Sequence, residues 1–223
     1  MRNIIKIRNL LFAVIAFTSI SFTAHSFEGF SIGVVGAQAD FDTSGNEREA
    51  EGDKNTATSS SSTDVGSLFT EYTFSQGSTI GLEYIPGAAT LGSKSRVDAV
   101  VTGDNAGTRV AKAEVSDHIT VYVEPTIMLT DTFGVYIKGG ASRVSVNSQE
   151  SSLPNSTYGN VDVWGVAYGV GAKAYYSNWF AKLEHLQTDY GTVTLHSSNT
   201  SVGNVITADI EQQATRIALG YNF

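Results

Sequence analysis

No cysteine occurs among the 223 residues, which excludes a disulfide scaffold, a thiolate zinc site and a cysteine nucleophile together. Charged residues make up only 16% of the chain, below the roughly 25% of an ordinary soluble domain, a deficit that points to a non-aqueous neighbour. Positive charge is scarcer still. All 22 acidic residues lie beyond residue 26, with only 11 of the 14 basic ones, so nucleic acid is excluded as an expected partner. Proline is rare at 3 and glycine plentiful at 22. Beyond residue 26 no apolar run approaches the roughly 20 residues of a spanning helix. Any membrane residence of this part must therefore use strands.

The amino terminus has the composition of a secretory signal. Arg2, Lys6 and Arg8 form a positive region, residues 10 to 22 are mostly apolar, and Ala24 and Ser26 supply small residues at the positions a signal peptidase reads. Residues 1–26 are expected to be a cleaved signal peptide and 27–223 a single domain. An uncleaved anchor is the competing reading, but the apolar run is too short for a spanning helix.

From residue 28 onward apolar residues alternate with polar or tiny ones, in eight segments joined by connections that are alternately long and short. The first, 28 to 41, sets Phe30, Ile32 and Val34 against Ser31, Gly33 and Val35. The second, 64 to 74, sets Leu68, Tyr72 and Phe74 against Phe69 and Glu71. The third sets Ile80, Leu82, Tyr84 and Pro86 against Gly81, Glu83 and Gly87, then runs on through Val97 to Val101 toward a turn at residues 103–107, the longest hairpin. The fourth runs from Ile119 to Leu129 as one strand, with Glu124 on its polar face. The fifth sets Phe133, Val135 and Ile137 against Tyr136, Lys138 and Gly140; its phase is ambiguous past Ala141. The sixth, seventh and eighth carry Lys173, then Lys182 and Glu184, then Arg216 on their polar faces. Tight turns are expected at residues 75–78, 130–132 and 177–178. External loops are expected at 42 to 63, 91 to 112, 148 to 160 and 196 to 204. The first holds Glu47, Glu49, Glu51, Asp53 and a serine run.

A soluble lipocalin-like barrel and a periplasmic β-sandwich also alternate with period two. Three features favour a membrane barrel. The polar face collects Glu71, Glu83, Glu124 and Glu184 with Lys138, Lys173, Lys182 and Arg216, a balance that a closed interior requires because a desolvated charge must be paired. Short turns at one end and long loops at the other match outer-membrane barrels. Phe74, Phe133, Tyr176, Trp179, Tyr221 and Phe223 lie beside the tight turns or the carboxyl terminus, where an interfacial aromatic girdle belongs. The expected fold is an all-β, eight-stranded antiparallel up-and-down transmembrane β-barrel.

The last six residues, Ala218-Leu219-Gly220-Tyr221-Asn222-Phe223, resemble the carboxy-terminal assembly signal of bacterial outer-membrane proteins, with Arg216 at the preceding polar position and Ala218 where glycine is usual. Leu183-Glu184-His185 and Thr188-Asp189-Tyr190-Gly191 resemble the seventh strand of small OmpA-type barrels, and Phe27-Glu28-Gly29-Phe30-Ser31-Ile32-Gly33 their first strand. The chain thus resembles the OmpA-like and opacity-antigen barrel superfamily over residues 27–223. The resemblance implies a Gram-negative outer-membrane location, lipid and lipopolysaccharide as surroundings, and the barrel-assembly machinery as a partner of Arg216, Ala218, Tyr221 and Phe223. It also implies an interior salt-bridge network that blocks free diffusion, for which the eight charges named above are the candidates, and no peptidoglycan-binding domain is expected after Phe223.

Chemistry-bearing motifs are sparse. His118, His185 and His196 have no serine and carboxylate at a spacing that converts to a triad, so a lipid A-modifying enzyme is the weakest reading. The acids at 47, 49, 51 and 53 share one side of an extended chain, where a divalent cation could sit, but they lack the glycine turn and ligand order of a calcium loop. Glycines at 165, 169 and 171 lie in a strand with no following helix, so they make room for Tyr122, Tyr136 and Tyr175 rather than cradle phosphate. No metal, cofactor or catalytic residue is expected, and no pattern names a surface ligand. The function expected is that of a non-enzymatic structural, surface-exposed barrel with acidic loops; a narrow channel gated by the eight interior charges is the alternative.

Overall fold

The computed structural model describes residues 27–48, 54–98, 107–151, 158–198 and 205–223; the expected signal peptide and the loop tips, Glu49, Glu51 and Asp53 among them, lie outside these. The strands are β1 (Gly29–Arg48), β2 (Lys54–Thr73), β3 (Thr79–Asp98), β4 (Gly107–Glu124), β5 (Thr126–Met128), β6 (Phe133–Ser151), β7 (Asn160–Tyr176), β8 (Trp179–His196) and β9 (Val205–Asn222). All pairings are antiparallel and join sequence neighbours, β1 pairs β9, and β4 pairs β6 to close the barrel. β4 and β5 are the two parts of one wall strand. Pro125, which has no N–H to give to the ladder, interrupts it, and both parts pair with β6. The result is a closed eight-stranded antiparallel barrel.

The three short turns form where the sequence places them. Phe74 and Ser78 close the first, with Gly77 at φ +86°. In the second, Thr130 Oγ1 accepts from Phe133 N at 3.0 Å. Ser177 takes φ 52° in the third. Beside these turns Tyr176 and Phe223 project outward at 84% and 72% exposure. Edge-to-face contacts link Phe30, Tyr72 and Phe74, and likewise Trp179, Tyr221 and Phe223.

At the other end the structure corrects the expected loops. The stretch 42 to 63 is mostly strand, with β1 and β2 paired out to Arg48 opposite Lys54. β3 runs to Asp98, in keeping with the expected run through Val97 and against a loop that begins at 91, and β6 continues to Ser151. A 20-residue strand at about 3.3 Å per residue and a tilt of about 40° rises about 50 Å, twice the roughly 25 Å apolar band of such barrels. The upper half of the wall therefore stands in water, and the patterning reverses there. Along β9 the outward residues are Phe223, Tyr221, Leu219 and Ile217, and then Thr215, Gln213, Glu211 and Asp209; Arg216 points inward in the lower half and Ile210 in the upper. β6 does the same, with Val135 outward below but Arg143 outward and Val144 and Val146 buried above. This reversal is the source of the ambiguous phase past Ala141. The interior is consequently not polar throughout: Ala39, Phe41, Leu91, Val115, Val144 and Ile210 belong to an apolar cluster that fills its upper part. On the outside at this level Arg143 and Ser145 bond Asp162; these hydrogen bonds, Ser145's first, hold the Asp162 carboxyl below its ordinary range.

β3 departs from its expected phase beyond Tyr84. A bulge lies between Ile85 and Ala88, Gly87 has φ +92°, and Gly87 is exposed instead of inward.

Candidate functional site

The lower interior is built from tiny residues facing large ones. A Cβ at Gly81 would lie 2.4 Å from Tyr122 Cζ, and one at Gly171 2.5 Å from Tyr136 Cζ. Glycine at these points lets the two tyrosines lie flat against the wall and reach the barrel axis with their hydroxyls. Gly33 and Gly220 make the same space for Phe69 and Phe180.

The structure brings all eight interior charges together. Glu71 comes from β2, Glu83 from β3, Glu124 from β4, Lys138 from β6, Lys173 from β7, Lys182 and Glu184 from β8, and Arg216 from β9, and each is buried. Lys182 Nζ lies 2.6 Å from Glu71 and 2.8 Å from Glu124. Lys138 Nζ lies 3.1 Å from Glu184 and 3.3 Å from Glu124. Arg216 donates to Glu83 at 2.6 Å and its Nε lies 3.2 Å from Glu184. Lys173 stands at the lower edge, 4.0 Å from Glu124, and donates to Gly77 O at 2.9 Å and Thr79 Oγ1 at 3.1 Å. The four acids and four bases thus form one connected, electrically balanced network across the lumen.

Neutral donors add to it. Tyr122 donates to Glu71 at 2.9 Å, Tyr136 to Glu184 at 2.8 Å and Ser67 to Glu83 at 2.6 Å. These roles were missed from sequence, where both tyrosines read as packing groups only. The ammonium of Lys138 also sits 3.8 Å from the centre of the Tyr122 ring, a cation–π contact that a desolvated site strengthens. Such a network suits a low-dielectric interior, because each carboxylate would be costly if left alone.

Below the network the lumen is closed by aromatic rings. Phe27 stacks on Tyr175 at 3.9 Å, and Tyr175 and Phe69 both pack on Phe180. Asn222 Nδ2 donates to Phe27 O at 2.8 Å, which ties the opening of the chain to its last strand. Above the network lies a polar waist: His118 Nε2 is 3.1 Å from Tyr190 Oη and 3.2 Å from Thr120 Oγ1, and Tyr190 donates to Gln212 at 3.0 Å.

The other candidates do not converge on a reactive centre. His185 faces outward against Thr215 at 3.2 Å, and His196 is exposed. Thr120 Oγ1 lies 2.7 Å from Ser142 Oγ, but Ser142 is fully buried. Glu47 accepts from Tyr158 at 3.2 Å, and no cluster of three potential metal ligands occurs among the described residues. In the assembly motif Arg216 and Ala218 point inward, Tyr221 and Phe223 outward. Phe223 N donates to Phe30 O at 2.9 Å, so the final residue helps seal β1 to β9.

No curated protein matches the chain. Among solved structures it is similar to the outer membrane protein OprG from Pseudomonas aeruginosa, with 15% identity, 91% of this chain and 99% of that one covered, and a TM-score of 0.56. It is also similar to the outer membrane protease OmpT from Escherichia coli (12% identity, 93% and 100% covered, TM-score 0.48) and to Neisserial surface protein A (10%, 85% and 97%, TM-score 0.44). The likeness to OprG supports the barrel fold. The sequence profile of the outer membrane protein beta-barrel domain matches residues 10–223, and the chain belongs to this family of the bacterial outer membrane.

Proposed function

We propose that the protein is a non-enzymatic, non-conducting surface barrel, exported by a cleaved signal peptide of residues 1–26 and inserted by the assembly machinery through its last strand. Its surroundings are outer-membrane lipid and lipopolysaccharide. The observation that carries this reading is the network of Glu71, Glu83, Glu124, Glu184, Lys138, Lys173, Lys182 and Arg216, which spans the lumen with its charges mutually neutralised. An ion entering it must displace partners already held at hydrogen-bond distance, and it meets the rings of Phe27, Tyr175 and Phe180 beyond. An eight-stranded barrel leaves room for little more than its own side chains. The placement of the histidines, His185 outward, His196 exposed near the end of β8 and His118 in the polar waist of the lumen, supports a scaffold rather than a hydrolase. The tall water-exposed wall and the connections above it are then the functional surface. Release of a small sugar from vesicles containing the purified protein tests this: retention as in protein-free vesicles is expected, and rapid release would overturn the reading in favour of a channel gated by these eight residues.

A further inference from the structure

β2 and β3 pair over only six positions, from Thr73 opposite Thr79 to Leu68 opposite Tyr84. Above that point each remains paired with its other neighbour, β2 with β1 to Lys54 and β3 with β4 to Asp98. The wall is therefore parted between two intact hairpins. Its cause is local: Pro86 offers no N–H to β2, and the bulge at Ile85 and Ala88, with Gly87 in a conformation suited to glycine, turns the edge of β3 aside. Higher up the edges meet again, where Ser61 Oγ donates to Thr90 O at 3.1 Å. Between these two points is a window, bordered by residues 63–66 on one side and 85–89 on the other.

The window opens on a cavity of about 160 Å³. Phe41, Val65, Ala89, Val115 and Val144 supply its apolar wall, Thr63, Asp64 and Ser116 add polar groups to the lining, and its floor is the hydrogen-bonded set His118, Tyr190 and Gln212. A cavity of about 150 Å³ with apolar walls holds benzene. Beneath the floor Arg216 and Glu83 close the way down. The pocket is a dead end toward the periplasm. The window's lower margin is Leu68 and Tyr84, which face the lipid; it stands at the outer edge of the apolar belt, where membrane-partitioned molecules are concentrated.

We propose that this is a lateral binding pocket for a small apolar or aromatic molecule bearing one hydroxyl, which enters through the β2–β3 window from the outer leaflet. Apolar walls supply the attraction and the polar floor supplies one hydrogen-bonding position, the usual division of labour in small-molecule sites.

The probe is p-cresol, titrated against the full protein extracted from outer membranes with methyl-labelled valine, leucine and isoleucine, and followed by NMR. Saturable shifts and cresol-to-methyl contacts are expected at Val65, Val115 and Val144, while lipid-facing Val121 and Leu219 respond only linearly, as for partitioning into detergent. Ala89→Phe fills the cavity and should weaken saturable binding about tenfold or more; Val65→Phe fills it from the other border and guards against failure of the first variant to fold. Gly66→Trp tests the route. A Cβ at Gly66 meets only Val35 O, at 3.8 Å, and the larger side chain would cover the window from outside, slowing exchange several-fold while leaving cavity contacts in place. Saturable binding that survives both filling variants, or exchange that Gly66→Trp leaves unchanged, would overturn the proposal.

Discussion

Replacing Lys182 with methionine keeps most of the side-chain volume and removes the cation that Glu71 and Glu124 share. Lys182 Nζ lies 2.6 Å from Glu71 and 2.8 Å from Glu124, with 2% or less of each side chain exposed. Removing one partner of a buried pair costs about 3–5 kcal/mol, because the remaining charge is stranded. Here the two carboxylates fare differently. Glu124 keeps Lys138 at 3.3 Å and Lys173 at 4.0 Å, whereas Glu71 keeps, among the described residues, the Tyr122 hydroxyl. The expected loss is therefore at the lower end, about 3 kcal/mol. Urea unfolding in lipid vesicles, read by heat-modifiable gel mobility, measures it. Adding Glu71→Gln to Lys182→Met should recover a substantial part of the loss, since the stranded charge is then gone. Arg143→Met, which breaks the exposed pair with Asp162, should leave the midpoint where it was. A Lys182→Met protein as stable as the parent, or a double variant weaker than the single one, would refute the network.

Gly81→Ala should lower stability by about 1–3 kcal/mol in the same assay, because its Cβ would lie 2.4 Å from the Tyr122 ring and push the hydroxyl off Glu71. Phe223→Ala should lower the amount of protein in the outer membrane far more than the urea midpoint of the protein that does arrive, because the ring contributes a recognition feature, is 72% exposed and has Tyr221 as its aromatic neighbour; equal loss in both readouts would make its role structural. Amino-terminal sequencing of protein from outer membranes should begin at Phe27, the residue whose ring stacks on Tyr175; an Arg2 or Met1 start would remove the signal-peptide reading.

The lower half of the barrel was legible because lipid outside and paired charges inside leave a strict period of two, as in Ile217 and Leu219 against Arg216 and Ala218. The tight turns were legible for the same reason, each marking where alternation stops. The upper half was misread as loop in part, at 42 to 63 above all, whereas the seventh segment was read as strand to residue 195. There water replaces lipid, so Asp209 and Glu211 face out while Ile210 faces in, and a reader carrying the lower phase upward finds apolar residues on the polar face. The window was not legible either. Pro86 and Gly87 signal an irregularity, but that β3 stays with β4 and leaves β2 is a choice between partners, made by pairing geometry across the barrel. The charges of the network could be named from one face of each strand. Their connections could not, since Lys182 and Glu71 are 111 residues apart and meet only after closure.

The central claim is that the interior is sealed, and ion conductance in planar bilayers tests it most directly. The purified protein, verified as folded by heat-modifiable mobility, is compared with Glu71→Gln and Lys138→Met. A silent parent is expected, with leakage arising only in variants that unpair the network. Stable, discrete channels in the parent, with a selectivity that shifts in Glu71→Gln or Lys138→Met, would contradict it and make the eight charges the lining of a pore.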